Sequence, residues 1–571
     1  SGFVSAAPWG PGRMNLLSAA RRRGQYLLYP DVGAPGRPRI GEPTEIRTTA
    51  GPIALGETCG EFAKSVPSRI IPFDLDGDGA MDLIIGTDFW EDYWPDGKRW
   101  GDREYVPYDA DGGWRGGPLR GHVFWLRNID TNDEPRFAPP QMVRSQGTPV
   151  EVYGTASPIL ADFRGTGRAD LVVGDFLDRL HFFPAADTPA EFGPGSPARN
   201  ADGGELILPQ NIHLGCADDW DGDGRTDVLV GAEDGYIYFC RNAGREFGGV
   251  PAFHEPARVQ QTSPRLNAGS CAVPAVGDLN GDGLPDLVVG NAAGHLLYYR
   301  NLGEPGRPLF DKEVYLRAGG EVIRIQAGYN GSIQGPSEAK WGYTCPVLLD
   351  WDGDGLLDIL ISDIYGHHTW YRNVGTPTEP AFAPGAKLTC RGQPLVTVWR
   401  VRPAVGDLFG NGVSYICLDE NALLAAYHRA GETELVDKSL LRFADGQPIG
   451  FTEEHGGGRG RMKFRLCDWT ENGLPDLLVG THRNASIPPG PEGIPRHDIN
   501  QATVLLLENV GRPGEPAFAA PRYVLYKGKP IRLGIHSCAP EVVDWGDGER
   551  GLIVGAESGT LLDMRREHLT W

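Results

Sequence analysis

Four stretches of the chain carry side-chain oxygens at positions 1, 3, 5 and 9 of a nine-residue segment, with glycine at positions 4 and 6. They are residues 74–82 (DLDGDGAMD), 219–227 (DWDGDGRTD), 278–286 (DLNGDGLPD) and 350–358 (DWDGDGLLD). Oxygens at this spacing, turned inward by glycine, suit one hard divalent cation, and Ca²⁺ tolerates the irregular geometry better than Mg²⁺. The expected ligands are Asp74, Asp76, Asp78 and Asp82, then Asp219, Asp221, Asp223 and Asp227, then Asp278, Asn280, Asp282 and Asp286, and finally Asp350, Asp352, Asp354 and Asp358. The Ala80 carbonyl is a further oxygen in the first. Worn copies start at Asp162, Asp407, Asp468 and Asp544, with Arg164 and Phe409 standing where an acid is expected. Four structural Ca²⁺ sites follow, with a weaker one at Asp468, Asn472 and Asp476. An EF-hand has similar early spacing but needs flanking helices, and here β-branched runs follow the loops.

A second set of residues suits acidic sugars. The segment AGYNGSIQGPSEAKWGYT carries Tyr329, Asn330, Glu338, Lys340, Trp341 and Tyr343, and SDIYGHHT carries Asp363, Tyr365, His367 and His368. Elsewhere stand His213, Arg265, Arg400, Arg402, His455, Arg461, His482, Arg483, His497 and His536. Aromatic rings stack on sugar rings, and Arg or His pairs with a carboxylate. β-Elimination from a uronate needs the carboxylate neutralised, a base for the adjacent C–H and an acid for the leaving oxygen. His367, His368, Tyr343, Tyr365, Tyr329 and Arg400 are the candidates for those roles. Lys340, Trp341, Glu338, Asn330, His213, His482, Arg483, His536 and Arg265 are the candidates for holding substrate. Glu338 with Asp363 is a possible glycosidase pair.

The elements that position these residues repeat. Each Asp loop follows a short apolar strand and precedes a second, such as DLIIG, DLVVG, DVLVG or GLIVG. Third strands read HVFWLRN, YIYFCRN, HLLYYRN and HTWYRN, and turns such as NLGEPGRPLF and NVGTPTEPAF lead to a fourth. Four antiparallel strands per unit make a propeller blade, and blades must stack because one alone exposes both faces. The expected fold is all-β, a single propeller over residues 1–571 with eight blades, or seven as the alternative. The last copy lacks an outer strand, whereas the N-terminus offers YLLYPDVGAPGRPRI, so residues 1–60 and 530–571 are expected to share the closing blade. NLLSAARRRG reads as a vestigial strand. Asp loops lie on one face, and the variable loops with their His and Arg lie on the other.

These repeats resemble the FG-GAP, or VCBS, family over nearly the whole chain. The resemblance implies a propeller with calcium in its hairpin loops. At the level of the repeats alone, the chain is similar to propeller-fold ulvan and rhamnogalacturonan lyases, and no catalytic residue is carried over. The function expected is a polysaccharide lyase on an acidic glycan. A non-catalytic glycan- or protein-binding module, a sugar dehydratase and a glycoside hydrolase are the alternatives.

Composition sets the outer bounds. Gly 80 and Pro 47 in 571 residues fit frequent turns, and 40% hydrophobic residues still allow a core. The net charge of −21 disfavours nucleic acid as partner. Four bound divalent ions would bring it to about −13. No apolar run approaches a membrane span, and SGFVSAAPWG has no secretory leader pattern. Calcium loops favour a secreted or periplasmic setting, whereas nine cysteines without a framework lean toward the cytoplasm.

Overall fold

The computed structural model describes residues 2–9, 14–20, 25–34, 37–55, 65–98, 104–260, 266–451, 460–483 and 501–571. These are strands, turns and three short 3-10 turns. Among the described residues, no helix is long and apolar enough to cross a membrane. The chain divides into two compact units, Ser1–Lys98 with Val106–Gln260, and Arg99–Tyr105 with Gln261–Trp571.

The repeat gives antiparallel sheets in which consecutive strands pair. The second strand of several, such as Asp286–Gly290 and Asp476–Gly480, is buried along its whole length. It has a strand on either side and packed side chains on both faces, which is why it reads as an unbroken apolar run. The first strand, Val273–Gly277, pairs with it in the register Gly277↔Asp286, and the Asp loop closes that hairpin. Both loop glycines take positive φ in every full copy, as at Gly353 (84°) and Gly355 (90°), where a side chain would be strained.

The described residues form nine such sheets, four in the first unit and five in the second. The N-terminal one is complete in itself: Gly2–Ala7, Asn15–Ala20, Gln25–Tyr29 and Thr44–Glu45 pair in order. NLLSAA is therefore a full strand and not a vestige. The C-terminal sheet has three strands, Cys538–Asp544, Arg550–Ala556 and Leu561–Met564. Among the described residues these three strands pair only with one another.

The last sheet packs on the first sheet of its own unit. The glycine ending each second strand shows why. A Cβ on Gly555 would lie 2.1 Å from the Ala272 carbonyl oxygen, as one on Gly290 would from Thr344 at 2.1 Å and one on Gly480 from Cys538 at 1.8 Å. Each such glycine lets the neighbouring first strand approach. Gly231, in the fourth sheet, meets only its own partner strand, at 3.7 Å.

In the second unit the first strands run in a circuit. Val273–Gly277 packs beside both Cys345–Leu349 and Cys538–Asp544, and Lys463–Cys467 beside both Cys538–Asp544 and Ala404–Gly406. The remaining link is made by Arg402 Nε, which donates to the Pro346 carbonyl at 3.1 Å, and by Ser362, which donates to the Val401 carbonyl.

Candidate functional site

The Asp loops are held by their own backbone. Asp350 accepts N–H groups from Gly353 (2.7 Å), Asp354 (3.1 Å) and Gly355 (3.0 Å). Asp358, fully buried, accepts from Asn373 (2.6 Å) and Trp351 (3.2 Å), which ties the hairpin to the third strand. Burial raises the Asp358 pKa, and it raises that of Asp82 to about 6. In three loops, carboxylate oxygens of Asp74, Asp76 and Asp78, of Asp219, Asp221 and Asp227, and of Asp350, Asp352 and Asp358 lie within 4.8 Å of one another. These oxygen-only sets fit a hard divalent cation. One buried oxygen of Asp76 has no hydrogen-bond partner, which agrees with a ligand role.

The third strand adds an arginine that sequence reading missed. Arg372 reaches Asp352 (2.7 Å) and Asp354 (3.4 Å), and Arg241 reaches Asp221 (2.5 Å) and Asp223 (3.0 Å). Its signal was the recurrent Arg-Asn pair ending HVFWLRN and its relatives. In the worn copy at Asp162, Arg164 itself pairs with the ninth-position Asp170. At the weaker candidate, Asp476 is filled by N–H groups of Asn509 (2.7 Å) and Trp469 (3.0 Å) and by the Thr470 hydroxyl (2.9 Å).

At the other end of the first strands, the second unit gathers a cationic mouth. Cys271, Tyr343, Arg400 and Arg461 each precede a first strand and each has positive φ, at 55°, 48°, 58° and 58°. They line one cavity with Val273, Thr344, Cys345, Lys463, His536 and Ser537, so all five sheets contribute. Its free volume of about 10 Å³ holds roughly one water-sized group. Nearby in sequence, Arg402 donates to the Pro346 (3.1 Å) and Pro540 (3.0 Å) carbonyls and pairs with buried Glu541.

Arg400 is 3% exposed. Its guanidinium carbon lies 3.2 Å from the Tyr343 ring centroid and 4.0 Å from that of Trp399, and it pairs with buried Glu338. Glu338 is held in turn by Ser332 and by Gln334 (2.9 Å). Arg461 lies 5.5 Å from the Trp399 centroid; burial and the Arg400 charge lower its pKa to about 10, so it stays cationic at neutral pH. The Lys463 ammonium donates to the carbonyls of Arg400 (2.7 Å) and Arg461 (3.4 Å). His536 Nδ1 bonds to Glu557. Burial alone would raise the Glu557 pKa, but His536 and nearby amide groups outweigh it and hold it at about 2.

The residues expected from sequence divide into several groups. Tyr343, Arg400 and His536 meet at the cavity, and Trp341 packs edge-on against Tyr343 at 5.5 Å. Tyr365 and His367 stack on the rim at 5.3 Å, with the Tyr365 hydroxyl donating to the Gln326 (3.0 Å) and Ala327 (2.9 Å) carbonyls. Tyr329 and Asn330 are exposed and Lys340 is half-buried. His368 is not on the rim: it is fully buried, its two nitrogens bonded to the Tyr415 hydroxyl (2.6 Å) and Thr397 (2.7 Å). It sits on a strand whose side chains all point into packing, so it cannot meet a substrate.

His482 is buried against the Arg483 carbonyl, and the Arg483 amide donates to the Ile535 carbonyl (3.0 Å). His213 belongs to the first unit and is buried against the Gln210 carbonyl. Glu338 and Asp363 do not form a glycosidase pair, because Glu338 is tied to Arg400 and Asp363 is buried beside Lys387 at 3.8 Å. Arg265, His455 and His497 lie outside the described residues. Lys463, Ser537 and Glu557 were missed. Aligning the residues around the start of each first strand would have placed the first two.

Comparison with known proteins decides the repeat. Residues 219–289 match the FG-GAP-like repeat family. That match runs from one full Asp loop through the next. No curated protein matches the chain. Among solved structures, the chain is similar to the Tc holotoxin pore of Photorhabdus luminescens, at 12% identity over 97% of this chain and 25% of that one, with a TM-score of 0.25. The chain thus spans about a quarter of that protein's length. It is also similar to BBS1N in complex with ARL6DN, at 13% identity over 72% of this chain and 90% of that one, with a TM-score of 0.22. The Dos1 propeller is similar at 11% identity over 54% and 59%, with a TM-score of 0.23.

Proposed function

We propose that this protein, with FG-GAP-like repeats stabilised by calcium, binds the carboxylate of an acidic glycan at the mouth of its second unit and cleaves the glycan by β-elimination. One observation carries the reading: Arg400, Arg461 and Lys463 surround a single cavity whose other walls include Tyr343 and His536. A cavity for one water-sized group admits one oxygen of a carboxylate and excludes a sugar ring. The ring then lies outside, beside the aromatic rim of Trp341, Tyr365 and Tyr329.

In this reading the cations neutralise the uronate carboxylate and so acidify the adjacent C–H. His536, oriented by Glu557, takes that proton. The electron pair forms the new C=C bond as the neighbouring C–O bond breaks, and Tyr343 protonates the departing oxygen. Ca²⁺ held in the Asp loops stiffens the sheets and takes no part in the reaction. A secreted or periplasmic setting, where calcium and glycans meet, fits the same reading.

The small cavity also favours a second reading, in which the mouth binds an acidic glycan without cleaving it. Incubation with a panel of uronate polysaccharides separates the two, because elimination leaves a conjugated product that absorbs in the ultraviolet. Absorbance that rises with time supports the lyase. Binding without absorbance supports the module. Neither response, with any acidic glycan, removes both.

A further inference from the structure

Two bulky residues, Arg400 and Arg461, hold φ of 58° at equivalent positions on neighbouring sheets. A left-handed conformation in a non-glycine residue is unfavourable and persists only where the surroundings enforce it. One group braces both arginines. Lys463 opens its strand two residues after Arg461, and its ammonium donates to both carbonyls, at 2.7 and 3.4 Å. The matching positions on three other sheets are Val273, Cys345 and Ala539, whose small side chains pack together and leave room for it.

The fifth matching position is Arg402. It is neutralised by Glu541, whereas Lys463, equally buried, has no ion-pair partner among the described residues. A buried ammonium without a carboxylate is costly and seldom serves stability alone. Burial lowers its pKa, in keeping with that cost.

We infer that Lys463 is a positioning residue, whose ammonium ties the carbonyls of Arg400 and Arg461 together and so aims both guanidinium groups at the cavity. The inference rests on the mouth being an anion site. It adds that the arginines are held through their backbones by a third charge of the same cavity wall.

The test uses the full-length protein in excess calcium, with trigalacturonate as the probe. Lys463→Met removes the tie, and Lys463→Gln keeps a neutral donor for the carbonyls. Lys463→Ala leaves a space that added propylamine can fill. Binding is expected to weaken about 10- to 100-fold in Lys463→Met, the scale of lost charge-assisted hydrogen bonds, and less in Lys463→Gln. Propylamine is expected to restore binding to Lys463→Ala, while bulkier amines do not.

A second readout needs no ligand. Modification of Arg400 and Arg461 by phenylglyoxal, followed by peptide mass, is expected to quicken in Lys463→Met and to slow again in Lys463→Ala with propylamine. Unchanged arginine reactivity in a folded Lys463→Met protein overturns the inference, as does absence of amine rescue. If Lys463→Met fails to fold, the Lys463→Gln and amine-rescue arms decide. If the wild-type protein does not bind the probe, the glycan reading fails while the arginine reactivities still judge Lys463.

Discussion

Arg164 reaches across the worn third-sheet loop and donates Nε and Nη2 to the fully buried carboxylate of Asp170, at 3.1 and 2.7 Å. In the complete loops that carboxylate belongs to the ninth-position ligand. Here the guanidinium supplies from within the chain the positive charge that the proposed calcium would supply in the complete loops.

This relationship predicts a loop that ignores chelators. Arg164→Ala leaves Asp170 buried without its counter-charge, and should cost about 3 kcal/mol of stability by the scale for broken buried pairs. Arg164→Asp should cost more in chelator and regain most of it in excess calcium, because it restores an acid at the third position. Thermal melts with and without chelator check both. An Arg164→Asp protein that melts at the same temperature in the two buffers would count against the substitution of charge for metal.

The complete loops should behave in the opposite way. Asp352→Ala is expected to remove one bound calcium per chain, counted by native mass spectrometry, and to lower the melting temperature only when calcium is present. Arg372→Gln removes the cation that competes for Asp352 and Asp354. Its side chain is 43% exposed, so the gain in calcium affinity should be a few-fold at most. An Arg372→Gln protein that binds calcium more weakly would mean the arginine supports the ion instead of competing with it.

Much of this was legible in the sequence, for reasons that can be named. The Asp loops, the apolar second strands and the Arg-Asn ends of the third strands recur, so the antiparallel sheets could be read directly. The number and grouping of sheets could not. Asn15–Ala20 lacks the Asp loop that marks a second strand elsewhere, so the N-terminal sheet read as incomplete. Whether Gly555 faces Ala272 or some N-terminal strand depends on packing between sheets, and the repeat is the same in either case. The cationic mouth was half legible. Arg400, Tyr343 and His536 stood out by type, but His368 and His367 are adjacent in sequence and point to opposite sides of a strand edge, one into the core and one to the rim.

The buried histidines predict acid sensitivity. Burial holds His368 at about 3, with His367 and Lys387 adding to the effect, and holds His213 at about 4. The unfolded chain protonates these rings near pH 6.5, so their contribution to stability is complete above that pH and is lost as pH falls toward 4 and 3. For His368 alone the loss by pH 4 is about 3 kcal/mol. His368→Gln should be less stable than wild type at pH 8 but lose less on acidification, measured by urea unfolding at several pH values. Parallel losses in the two proteins would show that His368 does not carry the dependence.

The proposed chemistry puts the base at His536 and not at the His367–His368 pair. Burial lowers the His536 pKa and Glu557 raises it, leaving a net lowering, so the ring is neutral and able to accept a proton at pH 7. His536→Asn should therefore cut kcat by about 10²- to 10⁴-fold, the usual worth of a positioned base. His367→Asn, on the rim and stacked on Tyr365, should leave kcat within about threefold of wild type, since it changes only contacts that substrate and transition state share. Glu557→Gln removes the group that raises the His536 pKa, so the acid limb of the kcat/KM profile should move to lower pH while its plateau falls. Steady-state rates of ultraviolet absorbance across pH 4 to 9 test all three variants. If His536→Asn keeps the wild-type rate, or if the Glu557→Gln limb moves upward, the base lies elsewhere on the mouth.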